Sequence, residues 1–547
     1  MDQDFPKKDG LTIALAQSNF TAGHFAGSVA RIAGLYNIAA AAKADLIVFP
    51  EMAITGYPAE DLILHKRFQD LSMETAEDIA RQAIQGTAIL AGGLWREGDA
   101  LYNAVFLMQD GKITHRQYKH RLPNYGVFDD KRLFAEGPMP EPMEWRGMKL
   151  GVLVCEDMWL PEVATHLESH GAEMLIALNA SPFETGKPRM RERIAVQRAQ
   201  ETGLPLIYVN PVGGQDEIVF DGGSFALSAE GTLATRLRAF NDDLAFLQLK
   251  KQDMQWVPQR GLIQPEQSDV QAIYSALVVG LRDFVEKNGF SGVMIGMSGG
   301  MDSAFAAAIA VDALGCSRVR AAMLPSPITS AESREDAAEC SQLLGVRMDV
   351  IPIEPGMRAF DAMLAPVLGS ELFDPIAEIN QTRLRCSVLM AISTREKLLL
   401  LNTGNKSEMA VGYTNLYGDM NGHYAVLKDL YKTDVYKVAA WRNAQGRIIP
   451  GRIFTKPPSA ELHTGQADQD TLPPYAVLDA ILLQLVEKRL SIAEVVAQGF
   501  AHATVEQVAR MLYFAEHKRR QAPPGVKISS MAFGRDRRLP LTCGWRG

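Results

Sequence analysis

The residues IGMSGGMDSA, positions 295–304, set glycines, serines and one carboxylate between an apolar run and an alanine-rich one. That order predicts a strand, a glycine turn and a helix. Backbone N–H groups in such a turn, with the helix N-terminus behind them, suffice to hold a pyrophosphate. The loop carries no lysine. Loops ending in Gly-Lys-Ser or Gly-Lys-Thr use the lysine to reach the β/γ-phosphates, in enzymes that move or hydrolyse the terminal phosphoryl group. Its omission suits cleavage between the α- and β-phosphates, where the whole pyrophosphate leaves. Asp302, directly after SGGM, is placed to reach a metal on that departing group.

A second set of reactive types lies in the first half. KLGVLVCEDMWLPE puts Cys155 at the end of a buried-type strand, before a turn and helix. A sheet rim presents such a side chain, and a helix N-terminus there would lower the thiol pKa. Glu51 closes the strand of DLIVFPEMAITGYP, and Lys119 sits in the basic run HRQYKHRLPNYG, read as exposed. Singly each has an ordinary explanation: a core cysteine, a solvated carboxylate, one charge of a run. Together they match amide hydrolysis by a thiol, which needs a nucleophile, a base for its proton and a cation for the oxyanion.

These residues need a framework. Short apolar runs recur from residue 11 to about 249, among them LTIALAQ, TAILAGGL, YNAVFLM, EMLIALNAS and LPLIYVN, with helical stretches between several of them. Asp110-Gly111 is a hairpin signal. Hairpins mixed with helical connections predict a mixed sheet with helices outside it. Residues 250–268, KQDMQWVPQRGLIQPEQS with the preceding lysine, are polar and read as a linker. From residue 269 to the end, strands (GVMIGMS, RVRAAMLPS, RMDVIPIEP, KLLLLNTGN) alternate with helices, which predicts a doubly wound parallel sheet with ligands at the strand C-terminal ends. The basic tail HKRRQAPPGVKISSMAFGRDRRLP reads as too polar for core.

Bulk properties narrow the class. A chain of 547 residues with formal charge −8 lacks the basic field of a general nucleic-acid binder. Five scattered cysteines without a CxxC support neither a disulfide framework nor a zinc ribbon. No signal peptide or apolar span is apparent, so the expectation is a cytoplasmic protein with no membrane and no nucleic-acid partner.

Residues 11 to about 249 resemble the carbon–nitrogen hydrolase (nitrilase) superfamily, which implies an α-β-β-α sandwich. Its Glu–Lys–Cys triad corresponds to Glu51, Lys119 and Cys155. The resemblance further implies amide-substrate contacts at Tyr125, Ser181 and Lys187. Many relatives place a second glutamate soon after the lysine; here Asp129 and Asp130 occupy that region. SGGMDS is similar to the loop of the N-type ATP pyrophosphatases, which adenylate a carbonyl oxygen and displace AMP with a nitrogen or sulfur nucleophile. The stretch LLLLNTGNKSEMAVGYTNLYGDMNGHYAVLKDLYKTDVYKVA resembles the NAD⁺ synthetase family, as do RLRCSVLMAIS and HKRRQAPPGVKISS. The two halves together resemble the glutamine-dependent branch of that family.

That resemblance implies ATP and Mg²⁺, with glutamine and deamido-NAD⁺ as the other substrates, and a homo-oligomer. It places ATP contacts at Gly296, Met297, Ser298, Gly299, Gly300, Met301, Asp302, Ser303 and Thr403. Metal ligation falls to Asp302 and Glu408, and contacts to deamido-NAD⁺ or its reacting carboxylate to Asn380, Glu408, Asp419, Lys432 and Lys518. Relatives read Glu-Asn-Ile-Gln-Ala-Arg where this chain has EINQTR, residues 378–383, so the expected asparagine is displaced to Asn380, about 100° around a helix. A tRNA-thiolating relative of the loop would predict paired cysteines and a basic face, and neither is present. A catalytically dead scaffold would predict damage to the triad or the loop, and both are intact.

Overall fold

A computed structural model describes residues 10–369 and 374–545. The described residues form two compact units, one within 10–215 and 219–267, the other within 216–218 and 268–545.

The first unit holds two large sheets. One has seven strands in the order Gln255–Pro258, Asp243–Gln252, Gly10–Gln17, Leu46–Val48, Ala88–Glu97, Ala100–Gln109 and Lys112–Tyr118. The other has six, from Leu233–Arg236 through Phe225–Leu227, Leu206–Val209, Met174–Leu178 and Met148–Val154 to Met143–Trp145. Strand alternation sorts the side chains into layers. Leu11, Ile13 and Leu15 enter a core shared with Leu150, Val152, Ile176 and Ile207 of the second sheet. Ala14 and Ala16 face Ile32 and Tyr36 of helix Phe25–Ala41 and Ile79 of helix Lys66–Gln82. On the outer face of the second sheet, Leu153, Leu175 and Ala177 pack on helices Pro161–Ser169 and Lys187–Thr202. The expected α-β-β-α sandwich is present. Being covered on both faces, its central strands Leu46–Val48, Met174–Leu178 and Leu206–Val209 are continuously apolar. Asp110 and Gly111 turn the predicted hairpin with φ of +52° and +79°.

The first half of the stretch read as a linker, residues 250–258, is a hairpin rather than a linker. Asp243–Gln252 pairs antiparallel with Gly10–Gln17, then turns at Asp253 and Met254 into Gln255–Pro258. Its polar composition reflects an edge hairpin, where one face needs little apolar content.

The second unit is built on a parallel sheet ordered Arg347–Val350, Val319–Met323, Val293–Gly296, Leu399–Asn402, Tyr424–Ala425. Sequence order runs outward from Val293–Gly296 to one side, then from Leu399–Asn402 to the other. The loops after those two strands therefore diverge and open a crevice, the place where doubly wound sheets bind ligands. The basic tail departs from expectation. Met531 and Phe533 join a helical core with Leu478, Leu482, Val508 and Leu512. Its charges are neutralised locally: Lys527 pairs with Asp536 at 2.8 Å and Arg519 with Glu516 at 2.9 Å. Lys406, fully buried, bonds Ser529 Oγ at 2.6 Å and the Met531 carbonyl at 3.0 Å, tying the tail to the TGNKSE segment.

Candidate active sites

In the first unit, Glu51 lies on the loop after strand Leu46–Val48. This loop passes so close to strand Ala88–Glu97 that a Cβ on Gly92 would sit 2.4 Å from the Met52 nitrogen and 2.8 Å from the Glu51 Cα. Only a glycine admits that approach. Lys119 follows the edge strand Lys112–Tyr118, and its N–H donates to the Asn103 carbonyl at 2.8 Å. Its side chain is only 1% exposed, so the sequence reading of an exposed charge is wrong. The ammonium donates to Glu51 Oε1 and to Asp130 Oδ2, each at 2.8 Å. Burial alone would strip its proton, but Asp130 and then Glu51 outweigh that and hold it firmly charged. Asp130 thus occupies the space of a second supporting carboxylate, with Tyr57 Oη donating to its other oxygen at 3.2 Å. Lysine has three N–H donors, and these two bonds leave one for an oxyanion.

Cys155 begins a single tight turn, Cys155–Met158, directly after strand Met148–Val154, at a left-handed φ of +46°. Asp157 clamps this elbow by accepting from Arg121 N at 2.7 Å and Val154 N at 3.1 Å. Burial pushes the Asp157 carboxyl up to about 6. The expected depression of the thiol pKa does not hold. Burial and then Glu51 drive the Cys155 thiol well above its usual value, against Lys119 and an N–H from Ala180. A short turn offers little helix dipole, and a carboxylate beside the sulfur disfavours thiolate. Those neighbours favour the protonated thiol in the resting site. Its proton acceptor is at hand, because Glu51 Oε2 is buried and makes no hydrogen bond.

Three further residues expected here surround the elbow or the neighbouring strand end. Tyr125, 52% exposed, donates through its hydroxyl to Glu156 at 3.0 Å. Lys187 opens helix Lys187–Thr202, its ammonium 5.4 Å from the Phe128 ring centroid, and it also stabilises the Glu156 charge. Ser181 is buried on the loop after strand Met174–Leu178, its N–H donating to Asn210 Oδ1 at 2.9 Å. Sequence reasoning missed Glu156, on which Tyr125 and Lys187 both act. Its adjacency to Cys155 was the available signal.

In the second unit a cleft of about 530 Å³ opens at the strand ends. Every residue from Gly296 to Ser303 lines it, as do Thr403, Glu408, Asp419, Lys432 and Lys518. The glycine turn is internally braced: Ser298 N and Oγ lie 3.2 and 3.0 Å from Ser303 Oγ, and Gly300 N donates to Ser298 Oγ at 3.2 Å. Gly299 has φ +79°, and a Cβ there would lie 2.2 Å from the Ser333 carbonyl oxygen. Gly299→Ala is therefore expected to distort the loop and lower the nucleotide-dependent activity of this cleft by about tenfold or more, from a strain of about 1–3 kcal/mol. Steady-state rates against ATP concentration check this; unaltered kinetics would mean that the loop does not grip phosphate.

Lys432 lies between the two expected metal ligands. Its ammonium donates to Asp302 Oδ2 and lies 3.5 Å from Glu408 Oε1. Burial lifts the Glu408 carboxyl to about 8, Lys432 opposing and Asp302 adding to the shift. Asp302 also accepts from Asn405 Nδ2 at 3.4 Å. Burial raises Asp419 to about 6, while Lys518, depressed by burial, donates to the carbonyls of Gly412 and Thr414 at 2.7 and 2.6 Å.

Asn380 is not brought to the cleft. Glu378, Thr382, Arg385 and Leu389 line it, spaced i, i+4, i+7 and i+11 along helix Asp374–Glu396. Asn380, two residues from both Glu378 and Thr382, is rotated about 200° from that stripe, and it is buried with its amide nitrogen unbonded. Sequence reasoning also missed Arg385, Lys456 and Glu461. Lys456 bonds Ser333 Oγ and Glu461 Oε1, the latter at 3.1 Å. Cations absent from the glycine loop thus reach the same cleft from other segments.

A thiol–carboxylate–ammonium amidohydrolase sandwich and an adenylating nucleotide fold in one chain define an amidotransferase class. Family comparison agrees: residues 12–259 match the carbon-nitrogen hydrolase family and residues 273–522 the NAD synthase family. The glutamine-dependent NAD(+) synthetase of Rhodobacter capsulatus is 44% identical, covering 98% of this chain and 99% of its own. That of Thermotoga maritima is 39% identical, with 97% and 98% covered. The solved Acinetobacter baumannii glutamine-dependent NAD+ synthetase, a complex with ADP, superposes with TM-score 0.79 at 38% identity, covering 98% and 99%. The chain belongs to the glutamine-dependent NAD⁺ synthetases, ligases that form NAD⁺ with glutamine as nitrogen donor.

Proposed function

We propose that Cys155 releases ammonia from glutamine and that the cleft around residues 296–303 uses it to amidate an adenylated carboxylate. The observation that carries this division is the buried Glu51–Lys119–Asp130 group beside Cys155. As Cys155 Sγ attacks the glutamine carboxamide carbon, its proton passes to Glu51 Oε2. The third N–H of Lys119 is the donor for the developing oxyanion, while the Ala180 N–H supports the sulfur. Collapse of the tetrahedral intermediate breaks the C–N bond, and Glu51 returns the proton to the departing ammonia. Water, deprotonated by Glu51, then hydrolyses the γ-glutamyl thioester to glutamate. Tyr125, Ser181 and Lys187 position the amino acid end.

In the cleft, N–H groups of residues 298–301 hold the ATP phosphates, aided by Lys456, while Thr403 contacts the nucleotide. The nicotinate carboxylate of deamido-NAD⁺ attacks the α-phosphorus and pyrophosphate leaves. Ammonia then displaces AMP and gives NAD⁺. Adenylation converts a carboxylate oxygen into a leaving group; without it, an amine and a carboxylate only exchange a proton. Asp302 and Glu408 would hold Mg²⁺, their carboxylate oxygens suiting a hard cation that neutralises phosphate charge. Lys432 pairs with both carboxylates. Asp419, Lys518, Glu378 and Arg385 border the space left for the dinucleotide.

The purified chain is expected to yield NAD⁺, AMP, pyrophosphate and glutamate in equal amounts from ATP, deamido-NAD⁺ and glutamine. Pyrophosphate released equally without deamido-NAD⁺ would defeat the assignment. Asp302→Asn is expected to lower synthesis by about 10²-fold or more with either nitrogen source. Near-normal Mg²⁺-dependent adenylation in that variant would remove Asp302 from the metal site.

A further inference from the structure

Away from the triad, three metal-ligating side chains of the first unit converge. Glu141 precedes strand Met143–Trp145, while His166 and His170 lie at i and i+4 on the last turn and C-cap of helix Pro161–Ser169. One ligand atom from each lies within 4.8 Å of the others. We propose that they form a surface site for a borderline divalent transition metal of the Zn²⁺ class.

The hydrogen bonds favour this assignment. His170 Nδ1 lies 2.8 Å from the His166 carbonyl oxygen, which only accepts, so the proton is on Nδ1. That bond orients the ring, the usual outer-shell support for a metal-bound histidine, and directs an Nε2 lone pair outward. His166 Nε2 lies 3.2 Å from Glu141 Oε1, and the two imidazoles stack with centroids 4.0 Å apart. In a tetrahedral Zn²⁺ site with bonds of about 2.0–2.1 Å, neighbouring ligand atoms lie about 3.4 Å apart. The half-buried and exposed side chains would close by up to about 1.5 Å, the two stacked rings turning apart so that both lone pairs meet at one ion. On metal binding the His166 Nε2 proton moves to Nδ1, or to solvent if the ring was charged, and the carboxylate and both Nε2 atoms become ligands. Two imidazoles and a carboxylate suit zinc or copper rather than magnesium, with water completing the shell.

A bound ion would join the 139–141 segment to helix Pro161–Ser169. Met139 already packs on the same cluster as Val163 and Leu167. The effect would fall on the stability of this layer, since none of the three residues belongs to the proposed catalytic groups.

The test uses the full chain, metal-stripped, carrying Cys155→Ala so that the nucleophilic thiol does not bind the probe. Zn²⁺ titrated calorimetrically should bind at one site per chain and raise Tm, and Co²⁺ should develop ligand-field absorption. His166→Ala and His170→Ala should each weaken binding by at least about tenfold, and Glu141→Gln should weaken it less. Circular dichroism and ammonium-driven NAD⁺ synthesis confirm that the variants are folded. Equal affinity in the His166→Ala/His170→Ala double variant, or no binding in the micromolar range, overturns the site.

Discussion

Cys155→Ala is expected to abolish glutamine-driven NAD⁺ synthesis while synthesis from ammonium salts survives. Loss of a covalent nucleophile elsewhere costs roughly 10⁴–10⁶-fold, and no other cysteine of the first unit is present to substitute. The adenylate needs only a neutral amine, which added ammonium supplies at mildly alkaline pH. Affinities for ATP and deamido-NAD⁺ should stay near those of the parent chain, because residues 296–303 and 402–408 lie in the second unit. NAD⁺ formation with glutamine, then with ammonium chloride at matched pH, reads both halves. Loss of both activities in a folded protein would show that the two chemistries are not separable. Persisting glutamine activity would reduce Cys155 to a core residue.

Lys119→Ala should remove glutaminase activity by about 10²–10³-fold through loss of the oxyanion donor. It should also destabilise the first unit, by about 3–5 kcal/mol, the cost of breaking a buried ion pair from one side. Glu51 and Asp130 would be left as buried carboxylates with no cation between them. A lower urea midpoint is the readout, with partial recovery when Asp130→Asn is added, because one uncompensated charge is then gone. An unchanged midpoint would mean that the ammonium is solvated, as the basic run around it first suggested.

The glycine loop, the strand rhythm of both halves and the Asp110-Gly111 hairpin are local matters. Each depends on residues within one turn or strand, so side-chain size and alternation suffice to read them. The order of reactive segments was equally readable: Glu51, Lys119 and Cys155 each sit at or just after a strand end, where a short loop exposes a side chain to the sheet rim.

What was misread depended on neighbours distant in the chain. Lys119 lies in a run of charges, yet Asp130 and Glu51 close over it. The thiol of Cys155 follows its burial and Glu51, 104 positions earlier (155 − 51), rather than the turn it begins. The polar tail is core because Asp536 and Glu516 neutralise cations within it, Lys406 hydrogen-bonds Ser529 and the Met531 carbonyl, and Met531 and Phe533 pack inward. Asn380 reads as a ligand by its motif, but helix Asp374–Glu396 turns its cleft-facing stripe to Glu378, Thr382 and Arg385. Sequence alone determined which chemical groups the chain carries and which local elements present them. Tertiary structure decided their charge states and directions, because desolvation and pairing act through space, between groups that the chain order keeps apart.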